Sequence, residues 1–482
     1  MTGGETLPPS RHGPELASGL VHLLTGRAIT VAVQFATLSL MGRALGPSDF
    51  GVVQLGIAVF TYVGLANDLG LTILGAREFA RRSPDGESPG DLLGTRIALT
   101  IVTLVPVGLV LALAPLSGPS RWVGIVLAGG FVISSINLRW LLLADRRFRG
   151  IALADSLGAI AQLVVTIVFV VGTGNVVAAA AAVVAGPAVS TIAMIPMVAS
   201  HRSVVPRFGV RGLRVLHRAM PLGVATMATA VYYSLDTVLL AIFRDPEQVG
   251  FYSAAYRIVL TCLTVPFLVH SAALPLVSHL TRDDPAKVPG LIRSISQNVL
   301  LIAAPIAVGT TLCADVVIRI VYGPDFGPAA GPLRILIWSC VTVSANVPFA
   351  VLLLARRGDG AYMRITIAGA VVNFAANLVM IPAFGILGAA LTTLLSECLV
   401  LASILWQTRD LSGQILRTSI ARTVAPVLLM GLAVVWVRDS VIAIPIGAGA
   451  YAAAVLALRL VTVADVRAAL GWVRRTPQDV SP

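Results

Sequence analysis

This chain repeats itself, and the repeated unit is a set of apolar segments long enough to cross a bilayer. About fourteen segments can be read, near 22–43, 52–75, 96–114, 121–144, 151–172, 175–198, 220–243, 251–278, 295–321, 333–354, 363–382, 385–406, 423–437 and 441–461. The first six resemble the next six. The stretch from Arg43 to Gly51 (RALGPSDFG) aligns with that from Ile242 to Gly250 (IFRDPEQVG), so that Pro47 and Pro246, and Gly51 and Gly250, lie 199 positions apart. A second stretch matches at an offset of 211, pairing Gly158 with Gly369, Gln162 with Asn373 and Gly174 with Gly385. Helical bundles repeated around a central site are the build of secondary transporters. Six spans return the chain to its starting side. The two copies therefore share one orientation and should be related by an axis along the membrane normal.

Composition excludes a water-soluble fold. Charged residues are 12% of the 482, hydrophobic residues are 57% and mean hydropathy is +0.89, where a soluble domain carries roughly 25% charged residues. An apolar run of ~20 residues crosses ~30 Å of hydrocarbon as a helix. Open sheets are excluded because their edges find no water partner there, and the alternation of a β-barrel is absent. The expected class is an all-α polytopic membrane protein.

The net charge of +12 does not point to nucleic acid, because the basic residues alternate by side. One set of loops carries Arg77, Arg81 and Arg82; Arg146, Arg147 and Arg149; Arg202, Arg207, Arg211, Arg214 and Arg218; Arg282, Lys287 and Arg293; Arg356, Arg357 and Arg364; Arg409, Arg417 and Arg422; and Arg474 and Arg475. The opposite loops carry about one each: Arg43, Arg121, Arg244, Arg334 and Arg438. Under the positive-inside rule both termini are cytoplasmic. The first span holds Arg27 and Gln34 and no small-residue cleavage site follows it, so it is not read as a cleaved signal. The cysteines at 262, 313, 340 and 398 lie singly in apolar segments and give no metal or disulfide pattern. No phosphate-binding glycine loop, HExxH or GxSxG occurs in a usable context, and neither a cofactor nor a metal is expected.

The expected organisation is a polar tail (1–21), a first lobe (22–198), a basic linker (199–219), a second lobe (220–406), a final pair of spans (407–462) and a tail (463–482). The linker reads either as an amphipathic segment on the anionic inner leaflet or as a solvated connector. Loops on the arginine-poor side are short, apart from 321–332, which leaves little room for the external catalytic domain of a glycan ligase or polymerase.

Ionisable residues inside spans are costly, so each is a functional candidate. Three pairs fall at matched depth on consecutive antiparallel helices. Arg27 and Asp68 are each about twenty residues from the turn at Pro47. Asp236 and Arg257 are each about ten from the turn at Glu247, and Arg139 and Asp155 each about eight from the turn at Arg146. Either these are ion pairs that stabilise one lobe, or they line an aqueous cavity where arginines receive an anionic substrate. The planar guanidinium fork suits phosphate oxygens. Asp315 and Arg319 read as an i,i+4 pair. Glu397 lies near the middle of span twelve with no basic residue at its depth in the hairpin partner, which suits a proton- or cation-coupling site; the bland alternative is a carboxyl held by Asn373 or Asn377. His270, Tyr232 and Tyr233 are further cavity or packing candidates.

The turn from Arg43 to Gly51, followed by Asn67-Asp-Leu-Gly-Leu71 and Ala76-Arg-Glu-Phe-Ala-Arg81, resembles the oligosaccharide flippase (polysaccharide transporter) family of the multidrug/oligosaccharidyl-lipid/polysaccharide exporter superfamily. The resemblance covers nearly the whole chain. It implies two six-helix lobes in a V, a MATE-like arrangement, plus two C-terminal helices. It also implies flipping of a polyprenyl-diphosphate-linked glycan between leaflets of a bacterial inner membrane, without catalysis, alongside membrane lipids and polysaccharide polymerases or glycosyltransferases as partners. Arg27 and Arg257 are the cavity cations it points to, with Asp68, Arg139 and Asp236 around them and Glu397 as coupling candidate. A cation-coupled drug exporter of the same fold, a membrane glycan polymerase or ligase, and a non-transporting scaffold remain as alternatives.

Overall fold

The computed structural model describes residues 13–81, 88–115, 118–199 and 204–460. Among them there are helices and no strands, as backbone groups in hydrocarbon require. The first half comprises α1 (Gly13–Asp68), α2 (Leu71–Arg81), α3 (Pro89–Leu113), α4 (Gly118–Ser135), α5 (Arg139–Ala144), α6 (Phe148–Val165) and α7 (Val176–Ala199). The second comprises α8 (Val210–Phe243), α9 (Pro246–Asp283), α10 (Val288–Leu312), α11 (Ala314–Tyr322), α12 (Ala330–Leu336), α13 (Trp338–Arg357) and α14 (Asp359–Gln407). The final pair is α15 (Arg409–Val435) and α16 (Ala443–Ala457).

Among the described residues nine helices are long and apolar enough to cross a membrane, and the protein is a multi-pass membrane protein. The two longest stretches each contain two expected spans. α1 bends at Gly46, where φ is +73°, directly before Pro47; α14 bends at Gly385, where φ is +57°. Only glycine adopts such a backbone without strain, which lets the chain reverse in one residue. Gly174, the repeat mate of Gly385, also has a positive φ, of +61°.

The repeat is visible as a contact. The helix beginning at Pro47 and the helix beginning at Pro246 cross at their first turns. A Cβ on Gly51 would overlap the Pro246 carbonyl, and one on Gly250 would overlap the Pro47 carbonyl. The two copies thus meet reciprocally at the arginine-poor end. Phe50 of the first copy is fully buried there, 5.8 Å from the Tyr322 ring and 5.7 Å from that of Phe326. Arg43 Nε donates to the Val321 carbonyl at 2.9 Å and its Nη2 to that of Ile320, capping the C-terminal end of α11. All the residues of the Arg-x-Leu-Gly-x-x-x-Phe-Gly turn other than Leu45 therefore bend the chain or close one end of the seam between the halves.

The other end is joined through α8. Its first turns dock on the first half: Gly223 packs on the backbone of Leu69, and Arg218 pairs with Glu78 at 2.6 Å. Its last turns belong to the second half, where Arg244 donates to the carbonyls of Ile381 and Pro382 at 3.1 and 2.6 Å. The linker preceding α8 lies against α3, with the Arg207 amide bonded to the Gly90 carbonyl at 2.8 Å. Phe208, Val210 and Leu213 are exposed beside Arg211 and Arg214, the pattern of a segment at a membrane interface.

Candidate functional site

A small polar cavity of about 160 Å³ lies where the repeats meet, lined by Gln54 and Thr61 of α1, Thr237 of α8 and Ser253, Tyr256 and Arg257 of α9. Gln54 and Ser253 are repeat mates, 199 apart, so the cavity straddles the internal axis. Arg257 Nη2 donates across the seam to Gln54 Oε1 at 3.1 Å. No carboxylate pairs with Arg257 among the described residues. Gln54 Nε2 and Ser253 Oγ are buried without a hydrogen-bond partner. A buried polar atom left unpaired costs ~1–3 kcal/mol. The cavity thus combines one uncompensated cation with two unspent polar groups, a set that fits an anion.

The expected pairing of Asp236 with Arg257 does not form. Asp236 is 3% exposed and accepts from Tyr252 Oη at 2.9 Å, Thr393 Oγ1 at 2.7 Å and Asn377 Nδ2 at 2.6 Å. Depth was matched, but facing was not. Tyr252 and Arg257 are five residues apart on α9, about 140° round the helix, so the face meeting Asp236 turns Arg257 toward α1 instead. The amides continue inward: Asn377 Nδ2 reaches Asn373 Oδ1 at 3.1 Å, and Asn373 Nδ2 reaches Ser396 Oγ at 3.0 Å. Glu397, next in the chain, is 6% exposed. Asn373 donates to Ser396, and Asn377 to Asp236 and Asn373.

The first half treats its charges differently. Asp68 pairs with Arg96 at 2.8 Å, and Arg96 also donates to the Asn137 carbonyl. Arg27 lies in α1 with its side chain outside the described residues, as do those of Tyr232 and Tyr233; Asp68 takes Arg96 as its cation. Arg96 went unnoticed as a partner, although its place at the start of span three levels it with Asp68. Arg139 and Asp155 pair as expected, at 2.7 Å, with Ser190 joining at 3.2 Å. Asp315 bonds Arg334 rather than Arg319, because the short α12 brings Arg334 back over α11. His270 does not line the inter-lobe cavity; its Nε2 is buried without a partner. Among the described residues no cluster of three His, Cys, Asp or Glu could hold a metal.

Because α8 changes allegiance along its length, it leaves an apolar groove on each side. At the arginine-rich end, a groove of about 1010 Å³ separates it from α14, with Met220, Val224, Ile367 and Phe374 on its walls. Toward the opposite end, one of about 690 Å³ separates it from the first half, between Val63, Val107, Phe131 and Ala241.

Comparison with known proteins agrees with this architecture. The structure superposes on a lipid II flippase, MurJ, in an inward closed conformation, with a TM-score of 0.74 at 13% identity, covering 89% of this chain and 97% of that one. It superposes on an inward-facing multidrug resistance MATE transporter with a TM-score of 0.65 at 16% identity, covering 81% and 96%. The fold is thus the one these two membrane proteins share. Residues 94–330 match a polysaccharide biosynthesis protein family. A Haloferax volcanii protein named as a low-salt glycan biosynthesis flippase, Agl15, is 26% identical over 79% of this chain and 81% of its own length. An Escherichia coli protein named as an O-antigen transporter is 21% identical over 82% and 97%. Over residues 94–330 the chain is thus similar to polysaccharide biosynthesis proteins, and over most of its length to proteins named as glycan flippases and O-antigen transporters.

Proposed function

We propose that the protein flips a polyprenyl-diphosphate-linked oligosaccharide from the inner to the outer leaflet of a bacterial plasma membrane, by alternating access, for cell-surface polysaccharide assembly. The carrying observation is the inter-lobe cavity, where Arg257 has Gln54 as its neighbour in place of a carboxylate. A diphosphate is the ligand such a guanidinium would gain most from, since charge-assisted bidentate bonds are the strong ones. The grooves beside α8 support the reading, because an isoprenoid chain needs an apolar seat at each leaflet. The relatives named as flippases and O-antigen transporters support the substrate class. The arginine-rich end is cytoplasmic in this scheme, as are both termini. In this scheme the close packing at Gly51 and Gly250 is the gate on the far side of the membrane.

Coupling is carried by the second lobe. Asp236 is a buried carboxyl held by neutral donors, and a chain of amides runs from it toward Glu397. Binding a proton or small cation there shifts the lobe equilibrium by its differential affinity for the two states. This same feature favours a second reading, a cation-coupled exporter of apolar drugs. Reconstituted vesicles separate the two. Short-chain polyprenyl-diphosphate sugars should become reachable by an impermeant reagent on the far side, and Arg257→Gln should abolish this while leaving the protein folded. Folded protein that moves apolar cations but no lipid-linked sugar overturns the flippase reading.

A further inference from the structure

Where the repeats end and the final helix pair begins, the arginine-rich end holds another cavity, of about 410 Å³, outside the transport seam. Arg356 and Arg357 enter it from the end of α13, Trp406 and Gln407 from the end of α14, and Arg409 and Asp410 from the start of α15. Three guanidinium groups therefore face one carboxylate. Arg356 Nη1 donates to Asp410 Oδ2 at 2.6 Å, and Arg357 Nη1 donates to Gln407 Oε1. Each bond fixes a fork and leaves further N–H donors to spend. Arg409 pairs with no acid among the described residues. Planar forks with excess positive charge are built for phosphate oxygens.

The surroundings decide which phosphate. Trp406 is 65% exposed at the lip of the cavity, and an exposed indole on an apolar surface sits at the headgroup level of a bilayer. Leu395 and Leu399 are also exposed, at 63% and 42%. With Trp406 they lie four and eleven residues along α14, on one stripe of the helix. The stripe runs from the membrane interior up to the arginines. We propose that this cavity binds the phosphodiester headgroup of an anionic phospholipid, whose acyl chain lies along Leu395, Leu399 and Trp406. The bound lipid would bridge α13, α14 and α15 and fasten the final helix pair to the second lobe.

The test uses the full-length protein, delipidated in detergent and titrated separately with phosphatidylglycerol, phosphatidylcholine and inorganic phosphate, with binding read by native mass spectrometry and thermal midpoint. Phosphatidylglycerol should bind and raise the midpoint; the other two should not at equal concentration. Arg409→Gln breaks no ion pair among the described residues and should weaken phosphatidylglycerol about tenfold, the loss of one charge-assisted bond. Asp410→Asn should not weaken it. Arg149→Gln, an exposed arginine elsewhere on the same end, should leave it unchanged. The proposal is overturned if Arg409→Gln and Arg357→Gln/Arg409→Gln both bind phosphatidylglycerol as the parent does. It is equally overturned if Arg149→Gln weakens binding as much, or if inorganic phosphate stabilises as much as the lipid.

Discussion

In the first half of the molecule Asp68 and Asp155, inside the expected spans, are each paired with an arginine, while in the second half Asp236 and Arg257 stand apart. Asp68 has Arg96 and Arg139 has Asp155, both within one lobe. Asp236 and Arg257 stand on consecutive helices of the second half, yet one is held by hydroxyls and an amide and the other reaches across the seam to Gln54. A closed ion pair gives up its affinity for other ions; a charge held by neutral groups retains it. Two copies of one helical plan have thus been put to different uses. In the proposed mechanism the first supplies a fixed wall, and the second carries the groups that respond to ligand.

If that contrast is right, the largest single lesion should fall in the rigid half. Arg96→Ala strands Asp68 beside a mostly buried position and should cost about 3–5 kcal/mol, seen as loss of folded protein by fluorescence-detected size exclusion. Asp68→Ala/Arg96→Ala should regain much of that abundance, and a double variant as depleted as the single one would break the pairing. Next comes Arg257→Gln, which should preserve abundance but lower flipping about 100-fold, the loss of roughly 3 kcal/mol of charge-assisted bonding. Unchanged flipping would move the cation site elsewhere.

A smaller effect is expected at Asp236. Asp236→Asn keeps a hydrogen-bonding side chain of the same shape and should stay folded within about 1 kcal/mol. Flux through it should cease to respond to an imposed proton or sodium gradient. If Glu397→Gln loses that response and Asp236→Asn keeps it, the coupling group is the one expected from sequence. The smallest effect belongs to Arg43. Arg43→Ala removes partly exposed bonds to the end of α11 and should cost about 1 kcal/mol of the closed seam. A cysteine placed at Ser39 should then react faster with an impermeant maleimide from the arginine-poor side.

Legibility followed one coordinate. The all-helical membrane fold and the repeat could be read because apolar length and matching turns are written along the chain. Depth could be counted from each turn, and for Arg139 and Asp155 that sufficed. Azimuth could not, because it depends on how each helix is rotated by its neighbours. Asp236 meets Tyr252 rather than the Arg257 that depth proposed, and Asp315 meets Arg334 rather than the Arg319 that i,i+4 spacing proposed. The cavity escaped notice for the same reason. Gln54 and Ser253 are unremarkable in sequence and become a site only because the repeats place them face to face.

That reciprocal arrangement has a consequence for how such a chain can change over generations. Gly51 is hemmed in by a carbonyl from the other copy, and Gly250 by the matching carbonyl of the first. Neither copy can acquire a side chain at this point unless the other yields its backbone. The two halves differ almost everywhere, as their contrasting charges show, but here each half acts as the mould for the other. Descendants should therefore change these two glycines together or not at all.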